Sequence, residues 1–220
     1  MVKPRAPAHL AAACCAALDF EASNPAMIRL FYVPNTRSTR PRWMLEELDV
    51  PYELVKMTAA QTKTPEYRKV HPMGKVPALQ DDGVTIFESA AIVAYLADKF
   101  PGKGLAPPPG QRAAYYQWII FAMATLEPAV AAVVYHTRLR PEEKRVPVIA
   151  EEGRANFADA ARAIALQGAY LLGQFSAADI VLGSVVLWGS SAKLLEDLPS
   201  LKAYADRLKA RPAWARSRRD

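Results

Sequence analysis

Apolar and polar positions alternate in two different periods along this chain. "MIRLFYV", Met27–Val33, is a short apolar run with aromatic and β-branched bias, ended by Pro34 and Asn35, and predicts a strand. "STRPRWMLEELDV" then places Met44, Leu45 and Leu48 on one face of a helix, with Pro41 tolerated in its first turn and Ser38 or Thr39 as cap. "PYELVKM" reads as a second strand, and "TPEYRKV" as a short helix capped by Thr64, with Pro65 at its first position. "VPALQDDGVTIFES" reads as two strands around the turn Asp81-Asp82-Gly83. In "AAIVAYLADKF", Ile92, Val93, Leu96 and Phe100 share a helical face. The order is β-α-β-α-β-β-α. A βαβ start implies a parallel pair, and the hairpin adds antiparallel strands to it.

"PGKGLAPPPG", 101–110, is a linker by composition. Helical, Ala- and Leu-rich patterns follow over Gln111 to about Val134, Glu142–Leu172, Ala177–Leu195 and Ser200–Ala210. The expected division is therefore an N-terminal extension (1–26), a mixed-sheet α/β domain (27–100), a linker (101–110) and an all-helical domain (111–220). The extension reads differently from the rest. Lys3 and Arg5 precede a short Ala-rich run broken by Pro4, Pro7 and His9, too short for a convincing export signal. The favoured reading is a start at Met27 with 1–26 dispensable, and no stretch elsewhere looks long and apolar enough to cross a bilayer.

Composition narrows the function classes. With 51% hydrophobic and 23% charged residues the chain resembles an ordinary soluble protein. The net charge of +6 is spread out, without a basic stretch interleaved with aromatics, which argues against nucleic acid and suits small acidic ligands. The two cysteines, Cys14 and Cys15, are adjacent, so no disulfide framework is expected and a reducing, cytoplasmic compartment fits. His9, His71 and His136 show no metal-ligand spacing.

Pro77 is out of place among Val76, Ala78 and Leu79, because proline cannot donate to a strand ladder. Either it merely starts a strand, or Val76–Pro77 is cis and turns the Val76 N–H and C=O outwards to pair with an extended peptide. A dozen residues on, Ser89 opens a helix, so its hydroxyl and the free N–H groups behind it form an anion site, with Glu88 alongside for a cation. An amino-acid head group carries both charges.

"GKVPAL" followed by "FESAAIVAYL" resembles the glutathione-binding signature of the soluble, bacterial-type glutathione S-transferase superfamily. "FSAADIVLGSVVLW", with the capping box Ser176-x-x-Asp179, and "LPSLKAYADRLKARPAW" resemble that family's helical folding motif and closing helix. The resemblance covers everything from Met27. It implies a thioredoxin-like domain followed by a helical one, glutathione as co-substrate, no metal, no membrane and a homodimer. It implies that Lys75 reaches the glycyl carboxylate, that Val76 pairs with the cysteinyl backbone with Pro77 cis, and that Glu88 and Ser89 hold the γ-glutamyl group. The reaction needs a thiolate, and its hydroxyl donor would follow the first strand, in "VPNTRSTRPRW". Thr36 is favoured there over Ser38, which could be spent as helix cap; Asn35 and Arg37 stay open. Tyr115, Trp118, Phe121 and Met123 are candidates for the wall of a pocket holding a small apolar electrophile. The implied activity is glutathione conjugation. Reductase, peroxidase, isomerase or dehalogenase chemistry on the same scaffold, or a non-catalytic ligand-binding module, are the alternatives.

Overall fold

The computed structural model describes residues 27–219. The expectations for residues 1–26 lie outside the described residues. The first strand, Ile28–Tyr32 (β1), is apolar apart from Arg29 and buried along its whole length, as a strand covered on both faces must be. It pairs in parallel with Tyr52–Lys56 (β2) and antiparallel with Ala78–Asp81 (β3), which turns into Val84–Phe87 (β4). The sheet order is β2-β1-β3-β4. Asp82 and Gly83 both take positive φ, 47° and 78°, in the two-residue loop of the β3–β4 hairpin. Helices Thr39–Leu48 (α1), Pro65–Val70 (α2) and Ser89–Lys99 (α3) complete the expected β-α-β-α-β-β-α unit, a thioredoxin-like arrangement. Thr64 caps α2 by accepting a hydrogen bond from the Tyr67 N–H at 3.3 Å.

The remainder is helical: Ala113–Phe121 (α4), Glu127–Val134 (α5), Pro147–Ala163 (α6), Ala177–Ser191 (α7), Pro199–Lys209 (α8) and Pro212–Ser217 (α9). The helix expected over Glu142–Leu172 is shorter than its pattern: after Ala163 the chain makes isolated bridges at Gln167–Tyr170 and Leu172–Gln174, with Gly168 and Gly173 at positive φ. The closing helix breaks in two at Ala210 and restarts on Pro212.

Between α4 and α5, and again after α5, the helix widens into π turns at Ala122–Leu126 and Tyr135–Leu139. Pro128 gives the first a cause. Its ring would clash with the carbonyl four residues back, and the helix relaxes by letting the Glu127 N–H donate to the Ala122 carbonyl five back. This makes Ala113–Leu139 one continuous 27-residue helix with mean hydropathy 1.7 across its most apolar window. By length and composition it is able to cross a bilayer, contrary to the sequence expectation, although half of that window is buried inside the fold, as in the core helix of a folded domain.

Helix α7 is buried on nearly every side, and Gly183 lets α8 close on it: a Cβ there would lie 2.3 Å from Leu208 Cδ1. Asp179 anchors its start. Its carboxylate accepts hydrogen bonds from the Ser176 N–H (2.9 Å), the Leu171 N–H (3.0 Å) and the Tyr204 hydroxyl (2.9 Å). The Ser176–Asp179 pairing expected of a capping box is present, and burial pushes the Asp179 carboxyl up from the usual range. One apolar core runs from β1 and α1 through α3 into α4–α8. Trp43 on α1 packs edge-on against Trp214 on α9, 4.9 Å between ring centres, and Arg211 grips Glu47 of α1 with two bonds of 2.6 and 2.8 Å. These contacts clamp the first helix to the C-terminal ones, so the groove above them is built from both parts.

Candidate functional site: two clefts sharing one arginine

The first cleft encloses about 600 Å³ at the end of the sheet. Thr36, Arg37, Lys75, Val76, Pro77, Glu88, Ser89 and Met123 all line it, so eight of the positions singled out from sequence converge on one space. The Val76–Pro77 peptide is cis. The β1–β3 ladder begins only at Ala78, and among the described residues the Val76 backbone has no backbone hydrogen bond. An extended strand could add there. Gly74 has φ of 57°, and a Cβ on it would sit 2.4 Å from the Thr62 carbonyl oxygen, so only glycine brings this loop against the one before it. Across that approach the Lys63 ammonium donates to the Gly74 carbonyl at 2.5 Å, and the Tyr67 hydroxyl to the Lys75 carbonyl at 2.8 Å. Both bonds steady the segment that presents Lys75 and Val76.

Glu88 and Ser89 divide the strand-to-helix junction between them. Ser89 is the first residue of α3. The cap position falls to Glu88, at φ 75° and ψ 113°, backbone that side-chain-bearing residues rarely adopt. That turn leaves the Glu88 carboxylate exposed at the cleft, while the buried Ser89 hydroxyl accepts a hydrogen bond from Arg40 at 3.0 Å. The first N–H groups of α3 lie behind them, where a helix start can accept an anion.

At the other end of the cleft, the Thr36 hydroxyl donates to the Val33 carbonyl at 2.7 Å and lies 2.9 Å from the Ser38 hydroxyl. Ser38 is buried and does not cap α1 with its side chain, a correction to the expectation: its backbone is already helical, which turns its hydroxyl to Thr36 instead. Thr36 therefore faces the cleft with Ser38 directly behind it. Asn35, at φ 58°, does not line this cleft; its side-chain carbonyl accepts from Arg218 at 3.0 Å on the side of the second cleft.

Sequence reasoning missed Arg40, Glu127, Lys63 and His71. Arg40 is buried, donates to Glu127, Ser184 and Ser89, and touches Met123 sulfur at 3.3 Å. Burial pulls its pKa down, and the opposing charge of Glu127 resists that fall. Glu127 also accepts from Arg37 at 2.9 Å, so one carboxylate serves two guanidiniums. The two arginines sit three apart on the polar side of α1's start, which is the spacing of one helix face, yet nothing in the sequence pairs them with a carboxylate some ninety residues on. His71 lines the first cleft beside Phe87 with its Nδ1 buried and, among the described residues, unbonded, and desolvation lowers its pKa.

The second cleft, about 420 Å³, shares Thr36 and Arg37 with the first and opens on the helical side. Val134, Leu139, Leu187, Trp188 and Trp214 make its apolar wall. The aromatic candidates on α4 do not. Tyr115 and Trp118 belong to the core, and Phe121 packs edge-on against Trp118; Met123 alone reaches a cleft, and it is the first one. The π turn after α5 and the inward face of α7 supply the wall in their place. Arg37 is the partition between the two spaces: bonded to Glu127, 3.4 Å from the Tyr135 hydroxyl, and stacked over Trp188 at 4.9 Å.

Comparison with known proteins identifies the family. The family model "Glutathione S-transferase, N-terminal domain" matches residues 26–98. Glutathione S-transferase F13 of Arabidopsis thaliana is 32% identical over 185 residues, which are 77% of this chain and 84% of that protein. The solved ternary complex of BphK, a bacterial GST, is 33% identical with a TM-score of 0.74, covering 86% of this chain and 97% of its own. A glutathione transferase family member from Pseudomonas fluorescens pf-5, solved with two glutathione bound, gives a TM-score of 0.79 at 26% identity over 90% of this chain and 94% of that one. By sequence across most of its length, and by fold across both of its parts, this chain belongs to the glutathione S-transferase family.

Proposed function

We propose that the chain binds glutathione in the first cleft and transfers its sulfur to a small electrophile held in the second. The observation that carries this reading is the convergence of Lys75, Val76, Glu88 and Ser89 on one cleft that ends at Thr36 and Arg37, where the second cleft begins. Each end of an extended γ-glutamyl tripeptide finds its complement. Glu88 takes the ammonium, and Ser89 with the α3 N-terminus takes the adjacent carboxylate. Val76 pairs with the cysteinyl backbone, and Lys75 with Lys63 faces the glycyl carboxylate.

In this reading the reacting sulfur is that of the bound tripeptide. Its thiol has an ordinary pKa near 8.5, and each unit of lowering needs about 1.4 kcal/mol of preference for the anion. In this reading the Thr36 hydroxyl rotates from the Val33 carbonyl to the sulfur while Ser38 donates to Thr36 from behind, and the Arg37 cation adds to the field. The thiolate attacks the electrophilic carbon, a C–S bond forms, and the leaving group departs with its bonding pair; the thiol proton has already gone to solvent. The N–H groups and cations that hold the tripeptide do not change during the step, so they contribute binding and orientation.

We also assign the protein to the cytoplasm and to a two-fold dimer. The support for the dimer is apolar surface left open on the edge strand β4 and on α4: Val84, Phe87, Tyr116 and Ile120 are all exposed. The function is tested by calorimetric titration with glutathione and by conjugation of 1-chloro-2,4-dinitrobenzene. Micromolar to millimolar binding with saturable conjugation is expected. Binding without conjugation, together with reduction of a small disulfide at glutathione's expense, would move the assignment to the reductase reading.

A further inference from the structure

The second cleft is cationic as well as apolar. Arg37, Arg138 and Arg218 line it together with Trp188, Trp214 and Leu139, and no aspartate or glutamate lines it among the described residues. Glu127 is paired with both Arg37 and the buried Arg40 from behind and offsets one of their two charges. Among the described residues, Arg138 and Arg218 have no carboxylate partner. Arg138 donates to the Ser191 carbonyl at the end of α7, at 2.6 Å. Arg218 donates to the Asn35 side-chain carbonyl at 3.0 Å and approaches the Thr39 hydroxyl at 3.4 Å, with its guanidinium 5.6 Å from the Trp214 ring centre. Both are thus held by neutral acceptors, which fix their place and, among the described residues, leave their charge uncompensated.

Resting on the transferase reading, we infer that the second cleft selects planar aromatic co-substrates that carry a carboxylate or sulfonate. The two indoles and Leu139 cover the faces of one or two rings, a load that suits a space of about 420 Å³. The guanidiniums of Arg138 and Arg218 then meet the anionic group at the rim, where arginine's planar fork matches a carboxylate better than an ammonium would. Arg37, stacked on Trp188 at the boundary with Thr36, marks the end where the electrophilic carbon must lie, so the anion points away from the sulfur. A neutral arene gains the apolar contacts alone.

The test is a matched pair: 4-nitrobenzoate and 4-nitrobenzamide, titrated against the full chain by quenching of tryptophan fluorescence without glutathione. The benzoate should bind about tenfold more tightly, and its advantage should shrink as salt is raised. Arg138→Gln and Arg218→Gln should each cut the benzoate-to-benzamide ratio severalfold, while Arg138→Lys restores part of it. Equal affinity for the two probes in the parent chain overturns the inference. So does an advantage that survives unchanged in both glutamine variants, since the anion is then held elsewhere, at the α3 N-terminus for example. Conjugation is measured separately, on 4-chloro-3,5-dinitrobenzoate and its amide. Preferential binding with no conjugation of either would defeat the transferase reading and leave the binding preference standing.

Discussion

The two clefts meet at Arg37 but are made in different ways. The first is built largely from backbone. A cis peptide, a glycine with no room for a Cβ beside a carbonyl, a glutamate at positive φ and the start of a helix all lie between Gly74 and Ser89. The second is built from side chains on four separated segments: the start of α1, the end of α5 with the π turn after it, the inner face of α7 and α9. A backbone site presents the same donors and acceptors whatever its surface residues do, and suits a ligand that never changes. A side-chain site can be remade by a few substitutions without touching the fold, and suits a ligand that does. The transferase reading needs that division of labour, with one invariant tripeptide and one variable electrophile.

Glu127 is where the difference can be broken most violently. It is the one carboxylate bonded to both Arg37 and Arg40, and Arg40 is buried. Glu127→Gln leaves that cation without its counter-charge, a change that typically destabilises by about 3–5 kcal/mol. Urea unfolding should show the loss directly. It should also weaken both clefts, because Arg40 stops supporting Ser89 and Arg37 stops dividing the two spaces. A loss below about 1 kcal/mol would mean that water reaches Arg40 and that the clefts are not joined through Glu127.

Glu88 separates binding from folding within the first cleft. Its φ of 75° is costly for any residue but glycine, and such strain amounts to about 1–3 kcal/mol. Glu88→Gly should therefore hold or raise the unfolding free energy while weakening glutathione about ten- to a hundredfold, the effect of losing a charge-assisted bond. Calorimetry and unfolding on the same variant check both halves. Unchanged affinity would remove Glu88 from the site. By contrast, Ser89→Ala loses a contact with Arg40 and no helix cap, so its cost should fall on binding and on the buried network together.

What the sequence made legible follows the same line. The first cleft could be read because its determinants are local: Pro77 inside a strand pattern, and Glu88-Ser89 at a strand-to-helix junction, are anomalies within a short window. The parallel pair and the hairpin followed from alternation and from Asp82-Gly83. The second cleft was misread because helical spacing says which residues share a face and not which face meets the core. Tyr115, Trp118 and Phe121 are aromatic and periodic, and these are also the properties of core residues. Trp188 looked like the tail of a buried folding motif, and Trp214 like part of a closing helix. The pairing of Arg40 with Glu127 spans 87 residues, and Pro128, which widens the turn that aims Glu127, gives no sequence sign of what it aims.

Thr36 tests the boundary between the clefts. Thr36→Val keeps the shape and removes the hydroxyl that lies 2.7 Å from the Val33 carbonyl. Bound glutathione should then keep its proton to a pH about one unit higher, and conjugation at neutral pH should fall about tenfold. Stability should drop by about 1 kcal/mol, the net worth of one hydrogen bond. Ser38→Ala acts one step further back, through Thr36, and should shift the titration less. The ultraviolet absorbance of the thiolate, followed against pH in both variants, ranks them. A larger shift from Ser38→Ala would reverse the order, and no shift from either would pass the role to Arg37 or to a backbone N–H at the start of α1.

The smallest effect is expected at Tyr115, and it bears on the comparison from the opposite side. Its aromatic character suggested a wall of the electrophile pocket, yet its ring is buried in the core against Tyr116, 5.5 Å between ring centres, and reaches neither cleft. Its hydroxyl is buried without a hydrogen-bond partner among the described residues, and burial pushes its pKa up. An unpartnered buried hydroxyl has already lost its water, so deleting it removes a desolvation penalty along with a few van der Waals contacts. Tyr115→Phe should therefore leave KM for the electrophile unchanged and shift the unfolding free energy by less than about 1 kcal/mol, in the stabilising direction if in either. Trp188→Ala, at the partition with Arg37, should raise that KM severalfold. If the two variants changed places, with Tyr115→Phe weakening the electrophile and Trp188→Ala silent, the side-chain cleft would have to be redrawn along α4, and Arg37 would no longer divide it from the backbone one.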